Sequence, residues 1–557
     1  MNRILLISVA VVVLPVATVQ AQDTPLWRHT TTEKISFYQV TPLGDLVVGT
    51  KDGITALAPE TGEPKWRRDD LKKLPAESFN PVPYTPYCVV RTKDGIALID
   101  LGTGNTIWDS TAVPLEKVRG YLTVPQQRML LLYGETPESH RTFVAVEIAT
   151  GQVRWRQDTL LRKSPGLLKV KGTSSFAGHQ PPLVDTDSTF ILNISKDGPM
   201  RIHSGTGELL WRANTNKDPP MLSTGYAPML QDRGVLFIPY ERKMLALNSA
   251  DGSVLWNRRK NFRSRVTQME LTAHGLVVRG RKPPEEDDPL GAGKDFFVDV
   301  LNLETGSSVW EYPFKDLKVN TPFLVGPNAI YVATERKLVA LDIRSGTPQE
   351  MAEFKFEGDE KPEMLEALGE NFLISSGHNF LAFDYTGTVQ YDRFYKAPGM
   401  SFLEKVGTMA ATIAFFELTE IVDKACARDP NCVSSPWVTT DGKVVNPDIA
   451  RTVPVAGEPL HQLNLNDPVL QSVLKGFDRL LSRQTTSAEN HVHVYTGQPV
   501  GGREGFSLVK LDIRDGEEAG RVWIDKRRPD YVLDPISGFV FVKEKDNEIV
   551  AFKFTGN

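Results

Sequence analysis

Residues 54–66 read ITALAPETGEPKW: an alternating apolar run, a turn at Thr61-Gly62, and a second extended run that ends on Trp66. Alternation with a period of two marks a strand with one packed face, and a turn glycine supplies the positive φ that a tight hairpin requires. The unit returns as GTGNTIW (Gly104, Trp108), ATGQVRW (Gly151, Trp155), GTGELLW (Gly207, Trp211), ADGSVLW (Gly252, Trp256) and ETGSSVW (Gly306, Trp310). In all six copies the Trp stands four residues after the Gly, and successive glycines lie 42 to 56 residues apart. This period suits a four-stranded propeller blade with variable loops and exceeds that of helical repeats of about 34 residues.

Weaker copies follow at IRSGTPQE (Gly346) and at YTGTVQY (Gly387), where Tyr391 takes the Trp position. The next hairpin, VKLDIRDGEEAGRVW around Gly516 and Trp523, lies too far from Gly387 for one blade. A change of composition places an insertion at 400–485, and removing it restores the blade period. After Trp523 the runs YVLDP, GFVFVKE and EIVAFKF make three strands with no Trp strand behind them, while Trp27 at the other end sits in an isolated strand-like stretch. Pairing the two ends closes the ring and removes exposed sheet edges. The expected fold is all-β: one large propeller of eight to ten four-stranded blades, the count favouring ten, closed by its N- and C-terminal strands. The expected division is a signal peptide at 1–21, propeller at 22–399, a mainly helical insertion at 400–485 and propeller again at 486–557.

The chain is 41% hydrophobic and 24% charged, with a formal net charge of -5 over 557 residues. Those values are ordinary for a soluble globular protein and lack the concentrated positive charge of a nucleic-acid binder. Arg3, the apolar run 4–16 and the small-residue pattern Val19-Gln20-Ala21 read as a secretory signal cleaved after Ala21. The run is too short for a membrane span, which takes about 20 residues. Gln22 rather than Cys follows the cut, so the expectation is an exported periplasmic or extracellular protein that is not a lipoprotein. Cys426 and Cys432 flank the turn-forming Asp-Pro-Asn of CARDPNC and read as a disulfide in an oxidising compartment. A zinc site would need a second Cys/His pair at finger-like spacing, which is absent. Cys88, within the apolar run YCVV, reads as a small buried hydrophobe.

Within the insertion, Phe402, Val406, Met409, Ile413 and Phe416 recur at helical spacing, as do Val469, Leu470, Val473, Leu474, Phe477 and Leu481. Two amphipathic helices serve either as a cap on one propeller face or as a dock for a protein partner or a membrane surface.

The repeated A-L-x-x-x-T-G-x-x-x-W resembles the tryptophan-docking motif of the pyrroloquinoline-quinone-type propellers. That family includes quinoprotein alcohol dehydrogenases and the propeller component of the outer-membrane β-barrel assembly machinery. The resemblance implies that Trp27, Trp66, Trp108, Trp155, Trp211, Trp256, Trp310 and Trp523 pack each blade against its neighbour, with Gly62, Gly104, Gly151, Gly207, Gly252 and Gly306 as the turn glycines. For the dehydrogenases it further implies the quinone, a calcium ion, an aspartate base and an adjacent Cys-Cys pair. No Cys-Cys dipeptide occurs in this chain.

Few residues offer chemistry of their own. His491 and His493 alternate along HVHVY and so share a strand face, as two metal ligands must, but no third ligand is identifiable. The acidic run Glu285-Glu286-Asp287-Asp288, among prolines and glycines, reads as a solvated loop without EF-hand spacing. Arg258, Arg259, Lys260, Arg263 and Arg265 form one short basic cluster, and Arg527 with Arg528 another. No nucleophile elbow, zinc-protease helix or phosphate loop is present. The expectation is a non-catalytic binding or scaffold protein acting through its loops and insertion, with no catalytic residue and no cofactor assigned. The alternative is a quinone- and calcium-dependent oxidoreductase of alcohols or sugars.

Overall fold

The computed structural model describes residues 24–554 apart from 83–84, 93–94, 139, 161–181, 195–196, 214–226, 241–242, 259–264, 282–295, 317–320, 327, 370, 399–485, 489–490, 501–502 and 525. The expected signal peptide, helical insertion, Cys426–Cys432 pair and acidic run 285–288 all lie outside the described residues.

Ten four-stranded antiparallel sheets make up the described chain, nine of them from strands in sequential order and the tenth joining the first strand to the last three. Blade 1 spans 35–68, blade 2 79–109, blade 3 117–157, blade 4 183–212 and blade 5 230–258. Blade 6 spans 265–316, blade 7 324–353, blade 8 364–394 and blade 9 486–523. Blade 10 takes three strands from 530–553 and its fourth from Trp27–Thr30, with Trp27 opposite Ala551. The ring therefore closes through its two ends, and the blade count is ten. Within each blade the strands are called A to D in this order.

The apolar core is divided among the seams between blades. One cluster joins Val47, Ile54 and Trp66 of blade 1 to Phe79, Cys88 and Val90 of blade 2, and similar clusters recur around the ring. Cys88 is fully buried, and burial pushes its thiol up, so it behaves as a hydrophobe. Repeat architectures place their stability in such neighbour interfaces.

The C–D turn supplies the seam's fixed geometry. In blade 2, Gly104 N donates to Asp100 O at 2.8 Å with φ at 73°, a conformation that an L side chain resists. A one-residue bulge in strand D, between the pairs Leu98–Trp108 and Ile99–Thr106, then re-aims the Trp toward the next blade. Trp66 of blade 1 lies on Gly104, where a Cβ would fall 2.6 Å from the ring, and its Nε1 donates to Leu101 O at 2.7 Å. The acceptor is always the carbonyl three residues before the glycine. Trp27 thus donates to Pro59 O (2.8 Å), Trp108 to Ile148 O (2.9 Å) and Trp155 to Ser204 O (2.8 Å). Trp211 donates to Ser249 O (2.9 Å), Trp256 to Leu303 O (2.8 Å) and Trp310 to Ile343 O (3.0 Å). Tyr391 does the same through its hydroxyl to Ile513 O, its ring against Gly516.

Trp523 departs from this pattern. It stands seven residues after Gly516 rather than four, and Gly520 occupies the docking position. Its ring lies under Arg503, at 4.3 Å, and beside Gly505. The turn glycine of blade 10, Gly538, is approached instead by Phe554, and Trp523 is not a docking Trp.

Candidate binding face

Antiparallel order fixes which connections share a face. The A–B and C–D turns leave one face of the ring, and the B–C turns and the D–A links between blades leave the other. The first face is occupied by short turns and by the docking glycines. The strand ends on the second face are the ones joined by long stretches of chain: 158–182 separates blades 3 and 4, 213–229 blades 4 and 5, 395–485 blades 8 and 9, and 282–295 separates strands B and C of blade 6.

Described residues on this second face form two organised clusters. In blade 8 the turn after Asn371–Ser375 is held by Glu360, which arrives from the blade 7–8 link. Glu360 Oε1 lies 2.7 Å from His378 Nδ1, and its Oε2 accepts from His378 N (3.0 Å), Asn379 Nδ2 (2.9 Å) and Ser376 Oγ. Burial pushes the Glu360 carboxyl up, but the hydrogen bonds and the His378 ring outweigh it and leave the group below the usual carboxylate range. Ser376 binds the carboxylate rather than the imidazole, so the trio clamps a turn and does not form a nucleophile–base relay. Tyr395 N donates to His378 O at 2.9 Å, and Lys396 O then accepts from Thr496 Oγ1 (2.7 Å) and Gly497 N (3.0 Å). The chain leaving blade 8 is thereby fastened to the B–C turn of blade 9.

The second cluster lies beside that anchor. Exposed Arg503 covers the buried Trp523 ring, Arg521 approaches the same ring at 5.9 Å, and exposed Arg527 lies 5.8 Å over Phe506. Arg528 is exposed next to it. A guanidinium held over an aromatic face is fixed in position and brings its positive charge to that place on the surface.

The two histidines do not meet as metal ligands. His493 is fully buried and packs on Phe554 at 5.2 Å, whereas His491 is half-buried with Nε2 3.8 Å from Asp512 Oδ2. Burial lowers the His491 pKa. Among the described residues no three His, Cys, Asp or Glu side chains converge as a metal site. A cluster of carboxylates that could anchor a calcium ion is thus not found among the described residues, and the sequence lacks the paired cysteines that the resemblance implies beside a quinone. Among the described residues no helix is long and apolar enough to cross a membrane. The Glu360 clamp and the Arg503–Trp523 stack carried no motif in the sequence; Trp523 signalled its difference only through the longer spacing from Gly516.

Residues 92–282 match the PQQ_2 family model, described as outer membrane protein assembly factor BamB, a span running from blade 2 into blade 6. An uncharacterized protein of Rickettsia prowazekii (strain Madrid E) is 23% identical over 211 residues, covering 36% of this chain and 46% of that one, so the chain spans under half the length of this relative. Among solved structures, BamB from Moraxella catarrhalis is 12% identical over 86% of this chain and 97% of that chain, with a TM-score of 0.31. The quinohemoprotein alcohol dehydrogenase ADHIIG from Pseudomonas putida HK5 is 12% identical over 70% and 81%, with a TM-score of 0.30. Likeness this slight adds nothing to the sheet register described above.

Proposed function

We propose, for a chain that belongs to the pyrroloquinoline-quinone-like β-propeller repeat family, the role of an exported, non-catalytic scaffold that holds protein partners on the face built from its B–C turns and D–A links. The observation that carries this reading is the inequality of the two faces. One is used up by the docking turns that hold the ring together, and the other is where the strand ends flanking the four longest connections lie. Loops on a rigid scaffold are where binding residues concentrate. The Arg503–Trp523 and Arg527–Phe506 stacks place positive charge on this face, which suits an acidic partner. The description of the matching family model, an outer membrane protein assembly factor, supports partner binding and export. The apolar periodicity of 400–485 supports a further contact with a protein or a membrane surface.

The test is site-specific photo-crosslinking in cells that express the full chain. Photoreactive residues at Arg503 and Arg527 should capture partner protein, while probes at Lys65 and Thr386, beside the docking turns, should not. Capture only from the docking-turn face would overturn the assignment. For the enzymatic alternative, purified protein is incubated with pyrroloquinoline quinone and calcium, then passed through gel filtration and assayed for dye reduction with alcohols and sugars. Retained quinone with turnover would replace the scaffold reading.

A further inference from the structure

Ten seams join the ten blades, and eight carry a ring that donates a hydrogen bond to the next blade's turn. The other two are the seams from blade 7 to blade 8 and from blade 9 to blade 10. Blade 7 has Glu350 in the docking position, exposed and paired with Lys337, and blade 9 has Gly520. Neither side chain has a ring or an N–H to offer. These seams are filled by other means. In blade 7 the strand D bulge falls at Met351, two residues later than in blades 1 to 5 and 8, and the Met351 backbone takes the place of the ring, its carbonyl 2.4 Å from a Cβ built at Gly387. At the last seam Phe554 of blade 10 reaches back over Gly520.

Between these two seams lie blades 8 and 9, and they are tied to each other in the full manner. Tyr391 docks on Gly516 and donates to Ile513 O, Arg393 Nε donates to Gly516 O at 2.7 Å, and Arg393 pairs with Glu517 at 2.9 Å. Arg68 makes the equivalent bond to Gly104 O at 2.7 Å in a Trp seam. We infer that blades 8 and 9 are a two-blade unit that reorients as one body against the other eight, with the 7–8 and 9–10 seams as its hinges. The remaining arc, from blade 10 through blade 1 to blade 7, is held by seven consecutive indole docks and stays rigid. The two hinge seams lack the ring-to-turn bond and keep side-chain ties through their links, Lys361 to Glu335 and Lys526 Nζ to Lys543 O at 3.1 Å. Long flexible side chains and apolar packing tolerate sliding, whereas a ring pinned at its N–H fixes both distance and angle. Such motion carries the blade 8 turn, with the link residue Glu360 bound to it, relative to Glu335 of blade 7, and so re-shapes the second face of the ring whatever binds there.

Hydrogen–deuterium exchange on the full-length protein, read by mass spectrometry, tests this. A unit held less tightly at both its seams also opens as one, so peptides from 364–394 and 491–523 are expected to exchange with one common rate, at least about tenfold faster than those of 117–157, as follows from a missing directional bond at each of two seams. The double variant Tyr391→Phe/Arg393→Ala is expected to split that common rate into two. Trp155→Phe is expected to raise exchange at blades 3 and 4 to near the level of blades 8 and 9. Blades 8 and 9 exchanging no faster than blade 3, or at unrelated rates in the unaltered protein, would overturn the inference. So would a common rate that survives the double variant.

Discussion

Phe554 lies over Gly520, with its Cδ1 2.9 Å from where a Cβ on that glycine would stand. Gly520 is the docking position of blade 9, so the aromatic group at this seam comes from the following blade instead of the preceding one. The direction of the dock is reversed at this seam. Phe554 is 7% exposed and also meets His493, which explains the burial of that histidine. Truncation as Phe554→Ala is expected to cost about 3 kcal/mol, within the range for emptying a buried aromatic site. The loss should be read as a lower urea midpoint and as faster exchange confined to blades 9 and 10.

The two parts of an indole dock should separate by mutation. Trp155→Phe keeps a ring on Gly207 but removes the bond to Ser204 O, and should cost about 1 kcal/mol. Trp155→Ala empties the seam and should cost about 4 kcal/mol. Gly207→Ala should exceed the Phe variant, because φ is 72° and the new methyl would stand 2.5 Å from the Trp155 ring. Urea unfolding of the three variants ranks them.

Asp299 makes stability depend on pH. It is buried in blade 6, and burial pushes its carboxyl up to about 6 against hydrogen bonds from Ser308 Oγ (2.6 Å) and Val300 N (2.8 Å). A folded pKa above the unfolded value favours the neutral form, so its contribution is complete below the unfolded pKa and is lost as pH rises through about 6. Between pH 4 and 7 the wild-type chain should lose up to about 3 kcal/mol from this group relative to Asp299→Asn. Urea midpoints of both proteins across that range measure the difference.

Glu360 acts in the opposite sense. Its carboxyl sits below the ordinary range, so its stabilisation is present above the unfolded pKa and is lost as pH falls through the folded one. Glu360→Ala leaves the donors of Ser376, His378 and Asn379 without their common acceptor, and should cost about 2–3 kcal/mol. Faster exchange at the blade 8 turn, with blades 2 to 4 unchanged, is the expected local signature. Crosslinking from Arg503 should fall as well, because Tyr395 and Lys396 tie that turn to blade 9.

Much of this architecture was legible in residues 54–66 and their copies. The Thr-Gly turn and the Trp four residues later report local backbone chemistry, a positive φ followed by a bulged strand, and such features repeat wherever their sequence repeats. The ring closure was legible too, since three strands without a fourth at one end matched a lone Trp27 strand at the other. Trp523 misled because residue type alone suggested a dock, while the dock is defined by its offset from the glycine.

The sequence by itself determined the blade, its period and its closure, because each depends on contacts within a hairpin or on unpaired strands that must find a partner. Only the tertiary structure decided which seams carry a dock, that Phe554 reaches back over Gly520, and that Glu360 and Arg503 organise the second face. Those contacts join residues from different blades, and no local pattern encodes which distant side chain will fill a space that a neighbouring blade leaves open.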